Sequence, residues 1–266
     1  MGALENMKLI QSLFTEAKEL VMHKNPTVDP ADFLLAQSGG FTSVAFEGAA
    51  MGIALTNISE WFSFCEIFGD QHDSQIHVGL GWAICESGEN LEVLDSLSSE
   101  GRWKAIDGYG YYMGLFKRRE AIREQTIPEF FSGDDLRAFN QGLGRSLWYL
   151  SQANSERLFR MIDLFAENRK PDMWRGVGVA LTYVGGVAAQ EVLEINQIAK
   201  NHSVHLRCGA LFALKGRDNA DCNTPDSSLV GETLRVNDHK LLALLAAYQP
   251  DYGGFIDSLE STLSAG

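Results

Sequence analysis

Small-residue clusters recur along the chain at a nearly fixed interval, and this recurrence limits the fold more than any other feature. The clusters are Glu47-Gly48-Ala49-Ala50, His77-Val78-Gly79-Leu80-Gly81, Asp107-Gly108-Tyr109-Gly110, Gln141-Gly142-Leu143-Gly144, Arg175-Gly176-Val177-Gly178 and Arg207-Cys208-Gly209-Ala210. Their anchor glycines, Gly48, Gly79, Gly108, Gly142, Gly176 and Gly209, are 31, 29, 34, 34 and 33 residues apart. Periods of this size belong to helical hairpins, which stack because one hairpin cannot bury its own apolar face. Five anchors have Gly or Ala two residues on; Leu211 breaks the rule. A glycine inside a helix costs about 1 kcal/mol against alanine. Six such costs call for close backbone approach, between packed helices or around a ligand. The anchors are expected in the first turn or two of six neighbouring helices.

The segments between the clusters are amphipathic. In residues 156–165, Leu158, Met161, Ile162 and Phe165 fall on one face at i, i+3, i+4, i+7. Pro171 is expected to stop the chain before the next glycine helix. Residues 191–201 place Val192, Ile195 and Ile198 on one side, and Leu9, Leu13 and Leu20 mark an opening helix broken by residues 25–30. Residues 240–248 read as the start of a final helical pair, and residues 219–228 as the one clear loop. The expected architecture is all-α. Helical-hairpin repeats of about 30–34 residues form two helix layers, as an open solenoid or a closed α/α ring. No linker divides residues 1–266, so one domain is expected.

Composition narrows the function. With 22 Lys plus Arg against 35 Asp plus Glu, the formal charge is −13, a field that repels nucleic-acid phosphates. The longest uncharged stretch, residues 176–190, is shorter than the roughly 18–20 residues of a membrane span. The first 20 residues carry five charges and no apolar signal-like region, which points to a cytoplasmic protein. Cys65, Cys85, Cys208 and Cys222 are widely spaced, as in reduced thiols rather than a disulfide or zinc framework. There is no G-x-S-x-G, Walker A or G-x-G-x-x-G motif. His202 with His205, and His72 with His77, lack the acidic or thiol neighbours of a metal site, so no metal is assigned. Asp134-Asp135 reads as acids at a helix start.

The run Phe46-Glu47-Gly48-Ala49-Ala50-Met51 resembles the YEGAAM signature of an enediyne-associated family of unknown function, the UnbL-like proteins. Four further blocks fit in order: residues 77–83, 107–111 and 141–149, then 176–180 with Tyr183 and Gly185-Gly186. The resemblance spans about residues 40–220, and the tail after Cys222 matches weakly. Members are encoded beside polyketide synthases that make enediyne cores. The resemblance therefore implies an accessory role in natural-product biosynthesis, and it supplies no catalytic residue set.

In a stacked array, equivalent positions lie at one level. Glu47, His77, Asp107, Gln141, Arg175 and Arg207 precede the anchors and are expected as neighbours at helix amino termini. Glu47, His77 and Asp107 form the candidate acid-base set, with His77 between the two carboxylates; each also has a plain role as cap or core residue. Trp82, Tyr109, Tyr111, Trp148 and Tyr183, with Gln141, Arg145 and Arg175, are the candidate substrate-binding residues. The plain alternative is an aromatic core and an interlocked charge network. An aromatic-walled pocket with an acid-base rim suits a linear unsaturated substrate, and a cyclase or isomerase of this kind needs no cofactor. The competing expectation is a non-catalytic helical-repeat adapter that binds a peptide, a carrier domain or a pathway enzyme. Lys117, Arg118, Arg119 and Arg123 are the densest basic cluster. They are either a solvated surface or a docking patch for an acidic acyl carrier domain.

Overall fold

The computed structural model describes residues 1–23, 28–236 and 251–265. These residues form helices with no strand among them: α1 (Ala3–His23), α2 (Pro30–Ala36), α3 (Thr42–Thr56), α4 (Ile58–Ser87), α5 (Ser99–Phe116), α6 (Gly133–Leu150), α7 (Ser155–Asp163), α8 (Lys170–Val184), α9 (Ala189–Ala199), α10 (Ser203–Asn219), α11 (Pro225–Thr233) and α12 (Tyr252–Ala265). The fold is all-α, in two layers of packed helical pairs. The expected helix over residues 240–248 lies outside the described residues.

The inner layer is α1, α3, the second half of α4, α5, α6, α8 and α10, each packed on the next in that order. Glycine explains how. A Cβ at Gly48, Gly108, Gly142, Gly176 or Gly209 would strike a backbone carbonyl of the preceding inner helix: Phe14, Val78, Asp107, Gln141 and Arg175 respectively. A Cβ at Gly79 would likewise strike the carbonyl of Glu47. The second glycine of each cluster faces the other way. Gly81, Gly110, Gly144 and Gly178 abut the carbonyls of Ala105, Phe139, Met173 and Leu206 on the following helix. Each G-x-G pair is thus a two-sided contact that lets backbones touch on both flanks. Leu211 breaks the rule because α10 is the last inner helix and needs glycine on one flank only. Gly48 contacts α1, so α1 belongs to the array although it carries no cluster of its own. Inner helices run parallel where two levels are resolved. Gly48 and Gly52 abut Phe14 and Lys18, while Gly110 and Gly114 abut Phe139 and Ser146.

The anchors lie deeper than the first turn. Gly48 is seventh in α3 and Gly108 tenth in α5, because the helices start earlier, as where Ser98 caps α5 by accepting from the Gly101 amide at 3.0 Å. The residues before the anchors are therefore mid-helix, without the terminal N–H groups expected to stabilise them. Pro171 likewise begins a helix instead of ending one, since it sits in the first turn of α8 where its missing N–H is harmless.

The outer layer returns the chain between parallel inner helices. Its first member is the front half of α4, which bends into the inner layer at His72 (φ −117°, ψ 21°). Later returns use the 3₁₀ turn Leu91–Ser96, the π turn Arg119–Arg123, α7, α9 and α11. The expected loop at residues 219–228 is shorter, because Thr224 caps α11 by accepting from Ser227 N at 3.1 Å. No helix among the described residues is long and apolar enough to cross a membrane.

Candidate active site

Two cavities open between the inner helices, about 840 Å³ and about 320 Å³ in volume. They lie at opposite ends of the parallel bundle. Along α5, Glu100, Trp103, Lys104 and Asp107 face the smaller one, and Tyr111, Tyr112, Leu115 and Phe116 the larger. Glu47 on α3, Arg145 on α6 and Tyr183 on α8 line both cavities and form the partition between them.

The three charged groups at this level are unequally matched. Arg145 Nη1 donates to Asp107 Oδ1 at 2.5 Å, and Gln141 Nε2 donates to Asp107 Oδ2 at 3.0 Å. The Arg145 guanidinium lies over the Tyr111 ring, 4.5 Å from its centroid. Burial pulls Arg145 down, but the Asp107 and Glu47 carboxylates outweigh it and keep the guanidinium charged. Glu47 is only 7% exposed, and its carboxyl makes no hydrogen bond or ion pair with any described residue. Burial pushes its pKa up from 4.5 to about 7; Arg145 partly opposes this and Asp107 adds to it. Glu47 is thus a carboxyl poised between acid and base at neutral pH.

Above Glu47 the larger cavity is aromatic and apolar. Tyr111 stands edge-on to Trp82 at 4.8 Å, and its ring centroid lies 5.7 Å from that of Tyr149. Tyr183 is buried, with its hydroxyl unpartnered among the described residues, and the Trp82 indole N–H is likewise unpartnered. Burial raises the Tyr183 hydroxyl well above its ordinary range, so it stays a donor. Phe14 of α1 packs on Trp82 at 4.8 Å and closes one wall.

The structure places Glu47, Asp107, Gln141, Arg145, Trp82, Tyr111 and Tyr183 on the lining of one or both cavities, and five expected residues elsewhere. His77 does not lie between the carboxylates. Its Nδ1 sits 3.1 Å from Asp73 Oδ1 and its ring meets Trp61 edge-on at 5.4 Å. The cause is helical phase: Glu47 and Asp107 stand one residue before their anchors and His77 two, a rotation of about 100°. Val78 takes the inward place and lines the smaller cavity. Tyr109 points to the outer layer, against Phe131 at 5.2 Å. Trp148 is fully buried and lines neither cavity. Arg175 is held in a buried network by Asp172 at 2.8 Å and Glu260 of α12 at 2.7 Å. Arg207 donates to the carbonyls of Leu234 and Leu263.

One rule finds the interior. Positions one before, three after and seven after each anchor share one helix face. They include Glu47 and Met51; Val78, Trp82 and Glu86; Asp107, Tyr111 and Leu115; Gln141, Arg145 and Tyr149; Val179 and Tyr183; and Phe212, all of which line a cavity. Met51 and Phe212, absent from the expected site, are marked by this spacing. The α1 wall carries no such signal.

The basic cluster follows α5 at the mouth of the larger cavity, where Arg118 is part of the lining. Lys117 donates to the Cys85 carbonyl at 2.7 Å, Arg119 pairs with Glu124 at 2.7 Å, and Arg118, Arg119 and Arg123 are exposed. No group of three or more His, Cys, Asp or Glu placed to hold a metal ion occurs among the described residues.

A family described as a protein of unknown function, DUF1702, matches residues 5–241, and the chain belongs to that family. No curated protein and no solved structure matches it.

Proposed function

We propose that this member of the DUF1702 family is a proton-transfer enzyme, an isomerase or cyclase, that acts on a long unsaturated chain bound in the larger cavity. The observation that carries the reading is Glu47, a buried carboxyl with a pKa near 7 and no partner, at the floor of an aromatic-walled cavity. A group whose pKa matches the working pH both accepts and returns a proton efficiently. In an isomerisation the Glu47 carboxylate takes a proton from a saturated carbon flanking the conjugated system. The electron pair left behind shifts along the chain, and Glu47 returns the proton to a carbon further on. One C–H bond breaks, another forms, and no electron leaves the substrate. In a cyclisation the protonated carboxyl supplies the proton, the faces of Trp82, Tyr111 and Tyr149 stabilise the positive charge as the ring closes, and the Glu47 carboxylate takes a proton back from the carbon beside the cation, which leaves a double bond. The aromatic walls exclude water and fix the fold of the chain.

A cavity of about 840 Å³ lies within the size range of small-molecule sites, which favours this reading over a non-catalytic adapter. The motif resemblance makes an accessory step in natural-product biosynthesis part of the same proposal. So does delivery of the chain by an acyl carrier domain docked at Arg118, Arg119 and Arg123, beside the cavity mouth.

The test is incubation with a panel of linear polyenes in deuterated buffer. Parent protein is expected to shift the ultraviolet absorption of a bound polyene and to place deuterium on carbon. Glu47→Gln should lower both by about 10²-fold or more while the fold is retained. A Glu47→Gln protein as active as the parent removes Glu47 from the chemistry. Bound chains returned by the parent unchanged and without deuterium remove the enzyme reading.

A further inference from the structure

We propose that the chain bound in the larger cavity ends in an anionic oxygen head group, in the simplest case a carboxylate, seated on Arg145 and Tyr183. The apolar tail then runs out between α1 and the carboxyl-terminal halves of α4 and α5. This names the substrate class of the site above and rests on its reading as the substrate site.

The floor of the cavity is a set of donors without acceptors. Arg145 has one N–H committed, to Asp107 at 2.5 Å; its other N–H groups make no hydrogen bond with described residues, although the side chain lines the cavity. The Tyr183 hydroxyl and the Trp82 indole N–H, on side chains at most 9% exposed, are both unpartnered and on the same lining. Protonated Glu47 adds an O–H. A guanidinium, a phenol and an indole on side chains that line one space select a head group that only accepts, and an ionised carboxylate is such a group. The planar guanidinium fork also matches carboxylate geometry. The unpartnered acceptor nearby, Gln141 Oε1, belongs to the smaller cavity.

Among the carboxylates of the lining only Glu19, exposed on α1, carries a charge with no ion pair among the described residues; the others do not oppose an incoming anion. Asp107 is neutralised by Arg145, and Glu86 near the mouth is paired with Lys18 at 3.1 Å. The pKa of Glu47 near 7 lets it stay neutral beside the anion, and with this head group bound Glu47 is the acid of the cyclisation and not the base of the isomerisation. Away from the floor Met7, Phe14, Met51, Leu115 and Phe116 offer a hydrocarbon tail apolar surface, beside the polar Lys8, Gln11, Thr15, Lys18 and Glu19 of α1.

The probe is cis-parinaric acid, a linear conjugated polyene acid whose fluorescence rises in apolar surroundings, compared with the alcohol of the same chain. Parent protein is expected to bind the acid at least about tenfold more tightly than the alcohol. The double variant Arg145→Met/Asp107→Asn removes the ion pair as a unit, so that no lone buried charge remains. It should lose most of the preference for the acid and keep only the several-fold share that Tyr183 supplies. Tyr183→Phe, which deletes only a hydroxyl, should reduce the preference for the acid by several-fold. Equal binding of acid and alcohol by the parent overturns the proposal. So does a folded double variant that keeps the parent's full preference. If neither probe binds the parent, the reading of the cavity as a substrate site falls as well. Tight acid binding without turnover counts against the catalytic reading alone and supports the head-group assignment.

Discussion

Glu47 and Asp107 occupy the same place in the first and third repeats, one residue before the anchor glycine, and both are buried. Their surroundings separate them. Asp107 receives Arg145 and Gln141 from α6, the helix directly after its own. Glu47 is followed by α4, whose equivalent interior positions hold Val78 and Trp82. With one carboxylate paired and the other desolvated with no partner among the described residues, a single acidic level of the repeat yields an ion pair and a titrating acid. What decides the chemistry of a repeat position is thus the side chain on the adjacent helix more than the residue itself.

The largest effect is expected where that asymmetry is broken. Asp107→Asn leaves Arg145 buried without its carboxylate and should lower unfolding free energy by about 3–5 kcal/mol, read by urea denaturation. It also removes a negative charge from beside Glu47 and frees the guanidinium to turn toward it, so the Glu47 titration should move down from about 7. An unchanged midpoint would show that Asp107 and Arg145 do not govern Glu47. A smaller loss, about 1–3 kcal/mol by the same measurement, is expected for Gly142→Ala, whose methyl would meet the Asp107 carbonyl and push α6 from α5. That shift should loosen the Arg145–Asp107 pair without altering either charge. A Gly142→Ala protein of parent stability would refute the close approach that sets the level of the site.

The repeat was legible in the sequence because its cause is local: backbone contact needs glycine, and glycine at fixed intervals is visible as such. The all-α, two-layer architecture follows from it. The site was legible only in part. Glu47, Asp107, Gln141, Arg145, Trp82, Tyr111 and Tyr183 line one or both cavities, since each lies on the interior face set by the anchor. His77, Tyr109 and Trp148 lie off that face, because one residue turns a helical side chain by about 100°. Arg175 has the right phase, but α12 supplies Glu260 and encloses it in an ion-pair network, a contact across 85 residues that no local pattern announces. The same holds for α1, which walls the larger cavity without a glycine cluster of its own.

The central claim is that Glu47 keeps its proton to neutral pH, and the pH dependence of stability tests it directly. With the folded pKa near 7 and the ordinary value 4.5, the folded protein binds more protons than the unfolded chain between those limits. Stability from this group is therefore complete below pH 4.5, falls as pH rises through 7 and levels off above it. Urea unfolding of parent and Glu47→Gln across pH 4.5–8 isolates the term, because the other groups are common to both. The account predicts that the parent loses about 3 kcal/mol relative to Glu47→Gln over this range, with the steepest change between pH 5 and 7. Parallel stability curves would contradict it, because they would mean that Glu47 titrates as an ordinary carboxylate.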